Sequence, residues 1–200
     1  MIARALELGP IVLASSSPRR REILELLGIE FTVQEPDYDE GEIAGLEPAE
    51  VAEAHARGKA RAVTGDRVLG VDTLVALDGR VYGKPCDEDE ARAFLRALAG
   101  RTHTVHSGLC LRAGGVEHIR RATSDVTFAP LSEADVGWYL GTGEWRDRAG
   151  AYAVQGRGAA LVRAVRGDFQ NVVGLPVPEL LDAMAAAVDH RGQAGGLAPG

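Results

Sequence analysis

The stretch LASSSPRRREILELLG, residues 13–28, predicts the first unit of the fold. It has the pattern of a buried strand, a serine-rich turn and a helix, with Ser17 as the N-cap residue and Pro18 as the first helical residue. Gly28 suits the position just past the last turn, where glycine adopts a left-handed backbone conformation. Three apolar side chains share one helical face, which predicts that the helix packs on a core: Ile23, Leu24 and Leu27.

The same helix begins with three arginines, Arg19, Arg20 and Arg21, which is unusual at this position. A helix N-terminus carries partial positive charge, so a cation in its first turn costs a few tenths to about 1 kcal/mol. A bound phosphate would remove the conflict, because it accepts hydrogen bonds from the free N–H groups and pairs with arginine. The arginines therefore indicate an anion site, and a basic turn exposed to solvent is the alternative.

The composition indicates a soluble protein, with 200 residues of which 46% are hydrophobic and 26% charged. The net charge of −7 disfavours nucleic acid and anionic membranes as partners, since both are bound by basic surfaces. Cys86 and Cys110 are too few for a disulfide framework, which favours a reducing compartment. No apolar run approaches the roughly 20 residues that span a bilayer, and the N-terminal segment lacks the pattern of a signal peptide. We therefore expect a cytoplasmic protein.

Short apolar and alternating runs predict strands between amphipathic helices along most of the chain. Predicted strands cover residues 11–14, 30–33, 68–77, 80–84, 102–112 and 116–128, and the glycine-rich segment 149–173 predicts two or three more. Predicted helices follow Ser17, Asp87 and Ser132 and cover residues 48–64 and 177–189. This order predicts an α/β fold with a mixed twisted sheet flanked by helices. We expect a single domain over residues 1–190 and a disordered tail over residues 191–200.

An aspartate, Asp72, interrupts the apolar run VLGVDTLVAL of residues 68–77. A buried carboxylate needs a cation, a metal ion or a catalytic role to offset its desolvation. The Asp-Gly dipeptide that follows predicts a two-residue hairpin turn, in a register that places Thr73 opposite Lys84 and Asp72 opposite Pro85. Lys84 is therefore the predicted diagonal partner of Asp72. An ordinary buried ion pair is the alternative to a functional site.

A second lysine, Lys59, lies in the predicted helix over 48–64 on one face with Val51, His55 and Ala62. This spacing predicts that Lys59 points inward. Arginines at a helix start, two lysines and one strand aspartate together predict a polyphosphate site that contains a base. The acidic loop over 34–46 could add ligands for Mg²⁺, which prefers carboxylate oxygens and substrate phosphates: Asp37, Asp39 and Glu40.

Five short blocks follow one another along the chain: Ser15-x-Ser17-Pro18-Arg19-Arg20, Gly70-x-Asp72-Thr73, Gly83-Lys84-Pro85, Ala149-Gly150-Ala151-Tyr152-x-x-Gln155-Gly156 and Val173-Gly174-Leu175-Pro176. In this order they resemble the Maf family of nucleoside triphosphate pyrophosphatases. The resemblance implies a single-domain α/β fold related to inosine triphosphate pyrophosphatases, with the site in a cleft between two lobes. It also implies hydrolysis of a nucleoside triphosphate to the monophosphate and pyrophosphate, with Mg²⁺ or Mn²⁺, and it is compatible with a homodimer.

On this resemblance, we expect the triphosphate to lie across the N-terminus of the helix that begins at Pro18. The expected phosphate ligands are Ser15, Ser17, Arg19 and Arg20, with Lys59 and Lys84 neutralising charge. The expected metal ligands are Glu40 and Asp72. Asp72 is also the expected general base, which deprotonates a water molecule that attacks the α-phosphorus.

Positions corresponding to Arg19, Thr73 and Gln155 separate the branches of the family. The chain resembles the branch that acts on dTTP and UTP, whereas the 7-methyl-GTP branch has a tryptophan in place of Arg19. A glutamine amide can donate to O4 and accept from N3–H of uracil or thymine, so Gln155 is the predicted base-reading residue. The alternatives are the same chemistry on 7-methyl-GTP or another modified nucleotide, and a nucleotide-sensing regulator of cell division.

Overall fold

The computed structural model describes residues 2–41 and 43–195. Its strands are β1 (Ile11–Ala14), β2 (Phe31–Val33), β3 (Arg67–Leu77), β4 (Arg80–Tyr82), β5 (Thr102–Ala113), β6 (Val116–Phe128) and β7 (Val162–Arg166). Its α-helices are α1 (Ile2–Leu6), α2 (Pro18–Leu26), α3 (Pro48–Arg61), α4 (Glu88–Leu98), α5 (Glu133–Leu140), α6 (Phe169–Val173) and α7 (Val177–Gly195). Within these ranges, none of the helices combines the length and apolar character that crossing a membrane requires.

The seven strands form one sheet in the order β2-β1-β3-β5-β6-β7, with β4 paired to β3. Strand β1 runs parallel to β2 and β3, and the remaining pairs are antiparallel. Helices pack on both faces of this sheet. The predicted α/β fold with a mixed sheet flanked by helices is confirmed.

Helix α3 lies close to one face of the sheet, because two strand glycines leave room for its backbone. A Cβ atom on Gly70 of β3 would collide with the carbonyl oxygen of Ala56, and one on Gly108 of β5 would collide with that of Ala52. Small side chains line the contact in one buried cluster: Ala14, Ala56, Ala60, Val63, Val68 and Cys110. This close packing brings polar side chains of α3 within direct reach of strand β3.

The opposite face of the sheet carries the larger hydrophobic core. Leu69, Val71 and Val75 alternate along β3 with the residues that face α3, so they point to this other face. They belong to one core with buried side chains of α2, α4, α5 and α7, among them Leu24, Leu95, Val136 and Leu180. Since β3 is covered on both faces, a polar side chain at its centre is removed from bulk water.

The prediction of two or three strands over residues 149–173 is wrong. The segment forms two 3₁₀ turns, Ala149–Ala151 and Gly156–Leu161, followed by the single strand β7 and helix α6. Gly150 and Gly156 have positive φ angles of 69° and 67°, which an extended strand does not contain. The alternation of small and apolar residues in this segment therefore reflects turns that pack on the core.

Helix α7 continues past its predicted end to Gly195. Arg191 Nη2 donates to the carbonyl oxygen of Leu8 at 3.1 Å, which ties the last turns of α7 to the N-terminal segment. Residues 196–200 of the expected tail lie outside the described residues.

The predicted hairpin between β3 and β4 has the expected register next to its turn. The predicted partners of Asp72 and Thr73 are wrong, because β4 ends at Tyr82 and the chain leaves the sheet before Lys84. Both residues pair with β5 instead, where Gly108 lies opposite Asp72. The cation that compensates Asp72 therefore comes from outside the sheet.

Candidate active site

A buried lysine lies between two carboxylates, where α3 crosses β3. Lys59 Nζ is 2.6 Å from Asp72 Oδ1 and 2.7 Å from Glu40 Oε1. The side chains of Lys59 and Asp72 are 8% and 5% exposed, whereas that of Glu40 is 42% exposed. Alternation along β3 directs Asp72 to the same face as Gly70, against α3. The inward orientation predicted for Lys59 is confirmed, and that of Ala62 is wrong, since Ala62 is the exposed C-cap of α3.

One oxygen of the Asp72 carboxylate has no partner. Oδ2 is buried and accepts no hydrogen bond from any described residue, which at a buried site often marks a bound group or a catalytic role. Burial alone would raise the pKa of Glu40, but the hydrogen bond and charge of Lys59, with the charges of Lys84 and His55, lower it below its ordinary value. Lys59 thus binds two carboxylates, an anionic one from Glu40 and that of Asp72, whose second oxygen accepts no hydrogen bond from the described residues.

Arg20 joins the start of α2 to strand β3. Its Nη1 donates to Ser15 Oγ and its Nε to the carbonyl oxygen of Gly174, both at 2.9 Å. Its Nη2 lies 3.5 Å from Thr73 Oγ1. Burial lowers the pKa of Arg20, but an arginine keeps its charge at any physiological pH. The positive charge of Arg20 therefore lies next to Thr73, the neighbour of Asp72 on β3.

Ser17 takes the predicted N-cap position of α2, but its side chain makes no capping hydrogen bond. Its own N–H donates to Ser15 Oγ at 3.2 Å, and Pro18 begins the helix as predicted. Arg19 Nη2 lies 3.5 Å from the carbonyl oxygen of Asp147. The N–H groups of the first turn therefore have no side-chain cap, a state that suits an external anion.

A cavity of about 740 Å³ opens over these groups, within the roughly 300–1,000 Å³ typical of small-molecule sites. Six residues of the predicted site line it: Arg19, Glu40, Asp72, Thr73, Lys84 and Gln155. The other four adjoin this lining. Lys59 contacts two lining carboxylates, Arg20 contacts Thr73, and Ser15 joins Arg20 to Ser17. The structure thus brings all the predicted site residues together.

Gln155 reaches the cavity from a turn that another residue holds in place. The Glu144 carboxylate accepts hydrogen bonds from the N–H groups of Arg157 and Gly158, at 3.0 and 3.1 Å. Hydrogen bonds to an ionised acceptor are about twice as strong as neutral ones. Sequence analysis missed Glu144, since it lies in an irregular segment with no periodic pattern to mark it.

Sequence analysis also missed two polar pairs at the site. The Tyr38 hydroxyl lies 3.1 Å from His55 Nδ1, and Thr73 Oγ1 lies 2.9 Å from Ser107 Oγ. Each pair joins residues from separate elements, so no local sequence pattern announces it. One member of each pair, His55 or Thr73, lines the cavity, and the other member contacts it.

The residues present fit a divalent cation that shares its ligands with a substrate. In the described part of the chain, no three His, Cys, Asp or Glu side chains form a ready-made metal site. Glu40 and Asp72 both contact the ammonium group of Lys59, however, and Asp72 Oδ2 has no hydrogen-bond partner in the ranges that the structure describes. Mg²⁺ is commonly bound by one or two carboxylates together with substrate phosphates and water.

Comparisons with known proteins show the family to which this chain belongs. A profile of the family described as Maf-like protein matches residues 10–187. The dTTP/UTP pyrophosphatase of Anaeromyxobacter dehalogenans strain 2CP-1 is 50% identical over 173 residues, covering 84% of this chain and 89% of that protein. The dTTP/UTP pyrophosphatase of Thermus thermophilus is 50% identical over 170 residues, covering 84% of this chain and 89% of that protein. Among solved structures, the Staphylococcus aureus Ham1 protein aligns with a TM-score of 0.41 at 18% identity, covering 60% of this chain and 72% of that one. By the family profile and the sequence relatives, the chain belongs to the Maf family.

Proposed function

We propose that this protein hydrolyses dTTP and UTP to the nucleoside monophosphate and pyrophosphate. The observation that carries the proposal is the buried Lys59 between Asp72 and Glu40, at the wall of a nucleotide-sized cavity. The relatives at 50% identity are named dTTP/UTP pyrophosphatase, which supports this substrate class.

The triphosphate lies across the N-terminus of α2. Its oxygens accept hydrogen bonds from the uncapped N–H groups of the first turn and from Ser15 and Ser17, and they pair with Arg19 and Arg20. Lys84, exposed at the mouth of the cavity, adds positive charge at the outer phosphates. Lys59 exchanges one of its carboxylate partners for a phosphate oxygen as the substrate binds.

Glu40 and Asp72 would hold the divalent cation, Mg²⁺ or Mn²⁺. When bound, this ion polarises the phosphoryl group and neutralises charge on the departing pyrophosphate. Its two carboxylate ligands come from different parts of the chain, the acidic loop and strand β3. The cation site is therefore complete only when the acidic loop is seated against α3.

Asp72 acts as the general base. Its free Oδ2 accepts a proton from the water molecule that attacks the α-phosphorus. The bond between the α-phosphorus and the oxygen that bridges it to the β-phosphorus breaks, and pyrophosphate leaves with that oxygen. Gln155 reads the base by donating to O4 and accepting from N3–H of uracil or thymine, with Arg19 and Thr73 as the other specificity residues.

The test is pyrophosphate release by the purified protein and by Asp72→Asn, across dTTP, UTP, CTP, GTP, ITP and 7-methyl-GTP. Each nucleotide is assayed with Mg²⁺, with Mn²⁺ and with EDTA. We expect metal-dependent turnover that favours uracil and thymine bases, and a loss of about 10²–10⁴-fold in kcat for Asp72→Asn with nucleotide binding retained. Preferred turnover of 7-methyl-GTP would contradict the proposed substrate class. Near-normal turnover by Asp72→Asn would contradict the role of Asp72 as general base. Nucleotide binding without turnover would favour the sensor.

A further inference from the structure

We propose that Tyr38 and His55 are positioning residues, which anchor the acidic loop on α3 and thereby hold the Glu40 carboxylate in place for the divalent cation. This inference rests on the function proposed above. The acidic loop is defined as residues 34–46, between β2 and α3, and it has no helix or strand of its own among its described residues.

The first observation is a polar contact between the loop and the helix. The Tyr38 hydroxyl lies 3.1 Å from Nδ1 of His55, which is 5% exposed on the inner face of α3. The two rings meet edge to face, with their centroids 5.9 Å apart. A tyrosine hydroxyl is protonated at neutral pH and can donate to Nδ1.

The second observation is a glycine in the interior of α3 under the same ring. A Cβ atom on Gly58 would collide with Cε2 and Cζ of Tyr38. Glycine is a poor helix former. Among the described residues, the atoms nearest to a Cβ placed on Gly58 belong to the Tyr38 ring and its hydroxyl. The absence of a side chain at Gly58 is therefore what lets the Tyr38 ring approach the helix this closely.

The third observation is the spacing of two parallel contacts. Tyr38 and Glu40 are two residues apart on the loop, whereas His55 and Lys59 are one turn apart on α3. The loop is thus attached at two points, by the Tyr38–His55 contact and by the Glu40–Lys59 ion pair. In the mechanism above, Lys59 exchanges one of its two carboxylate partners for a phosphate oxygen, and when that partner is Glu40 the ion pair no longer holds the loop. The Tyr38–His55 contact does not involve Lys59 and remains.

The test uses three variants of the full chain. Tyr38→Phe removes the hydroxyl and leaves the ring. Gly58→Ala forces the ring away from α3. Gly137→Ala is the matched control, since Gly137 lies inside helix α5 with open space where a Cβ would be. Affinity for Mn²⁺ is measured by electron paramagnetic resonance in the presence of a non-hydrolysable α,β-imido analogue of UTP, and affinity for that analogue is measured separately in EDTA.

We expect Tyr38→Phe to weaken Mn²⁺ binding about 2- to 10-fold, the effect of one lost hydrogen bond, and Gly58→Ala to weaken it further. Analogue affinity in EDTA should stay unchanged in both variants, saturating Mn²⁺ should restore kcat, and Gly137→Ala should behave as wild type. Unchanged Mn²⁺ affinity in both variants would overturn the inference. The inference would also be overturned if affinity for the analogue in EDTA fell as much as affinity for Mn²⁺, since that would indicate a general loosening of the site.

A protease measurement separates failure of this inference from failure of the proposed function. Cleavage of the bond between Glu40 and Gly41 by a glutamate-specific protease reports how firmly the acidic loop is seated, whatever reaction the protein catalyses. Both Tyr38→Phe and Gly58→Ala should be cleaved faster at this bond than wild type and Gly137→Ala. Equal cleavage rates would overturn the anchor, whereas a wild-type protein without metal-dependent turnover would overturn the proposed function.

Discussion

At the scale of the residue, the positive charge of Lys59 is paired with two carboxylates. The buried carboxylate of Asp72 needs this charge more than the exposed carboxylate of Glu40 does. Asp72 is buried, with one oxygen bonded to Lys59 and the other unpartnered among the described residues, whereas Glu40 is partly exposed to water. Removing one partner of a buried ion pair leaves an uncompensated charge, which destabilises a protein by about 3–5 kcal/mol. Removing Asp72 instead leaves Lys59 paired with Glu40.

We therefore predict that Lys59→Met lowers the free energy of unfolding by about 3–5 kcal/mol, and that Asp72→Asn lowers it by clearly less. Urea denaturation at pH 7 measures both changes. Lys84→Met is the matched control for stability, because Lys84 is exposed and its replacement should shift the midpoint little. Equal losses in Lys59→Met and Asp72→Asn would contradict the unequal dependence.

The orientation of Lys59 could be predicted from sequence, but its partner could not. Helical periodicity is local, and it correctly places Lys59 on the inner face of α3. The hairpin register is also local, and it predicted Lys84 as the partner of Asp72. The observed partner, Lys59, lies on helix α3, which packs on the sheet. Composition offered a further clue, since Lys59 and Lys84 are the only lysines in a chain whose other basic residues are arginines.

At the scale of the element, the turn that carries Gln155 depends on the Glu144 carboxylate. That carboxylate accepts two consecutive N–H groups, from Arg157 and Gly158. A Cβ atom on Gly156 would come within 2.9 Å of it, so the turn closes tightly around the acid. Without Glu144 the turn loses two charge-assisted hydrogen bonds, each worth about 1.5–3 kcal/mol.

We predict that Glu144→Ala lowers kcat/KM for UTP by about 10-fold or more, the effect of losing one such hydrogen bond, and narrows the preference for UTP over CTP. Gln155→Ala should narrow the same preference, and the double variant should narrow it no further, because both changes act through one side chain. Steady-state kinetics with both nucleotides measure this, with Glu133→Ala as an exposed control on α5. Additive effects of the two changes would contradict a positioning role for Glu144.

Elements with regular periodicity could be predicted from the sequence, and irregular ones could not. The bounds of β6 match the prediction, and the hydrogen bond from Glu90 N–H to Asp87 starts α4 at the predicted N-cap. The segment 149–173 failed because its turns require positive φ angles at specific glycines, and an alternating pattern does not distinguish such turns from strands. The site takes Gln155 from this segment, so the least predictable element is also a functional one.

At the scale of the whole molecule, the alternation of strands and helices was enough to predict the fold class. The strand order was not predictable, because it depends on long-range contacts such as the approach of α3 to Gly70 and Gly108. These glycines do not mark a turn, and only the packed structure explains them. The cytoplasmic location, the homodimer and the single domain over residues 1–190 stay predictions.

Stability of the whole molecule should fall in mild acid because of one buried histidine. His103 on β5 packs edge to face against Phe128 and Tyr152, and its Nε2 lies 2.8 Å from the Tyr152 hydroxyl. Burial lowers the pKa of His103 from 6.5 to about 4. Between these values the unfolded chain binds a proton that the folded protein does not, so stability is complete above pH 6.5 and is lost as the pH falls toward 4.

We predict that His103 accounts for a loss of about 2–3 kcal/mol in the free energy of unfolding between pH 7.5 and pH 4. Urea denaturation of wild type and His103→Gln across this range isolates the effect. Burial also lowers the pKa values of His106 and His118, but both residues are present in both proteins, so their contribution cancels in the difference. The variant should be less stable than wild type at pH 7.5, and the gap should close by about 2–3 kcal/mol at pH 4. A gap that stays constant with pH would mean that His103 titrates equally in the folded and unfolded states, and that the aromatic cluster does not exclude water from it.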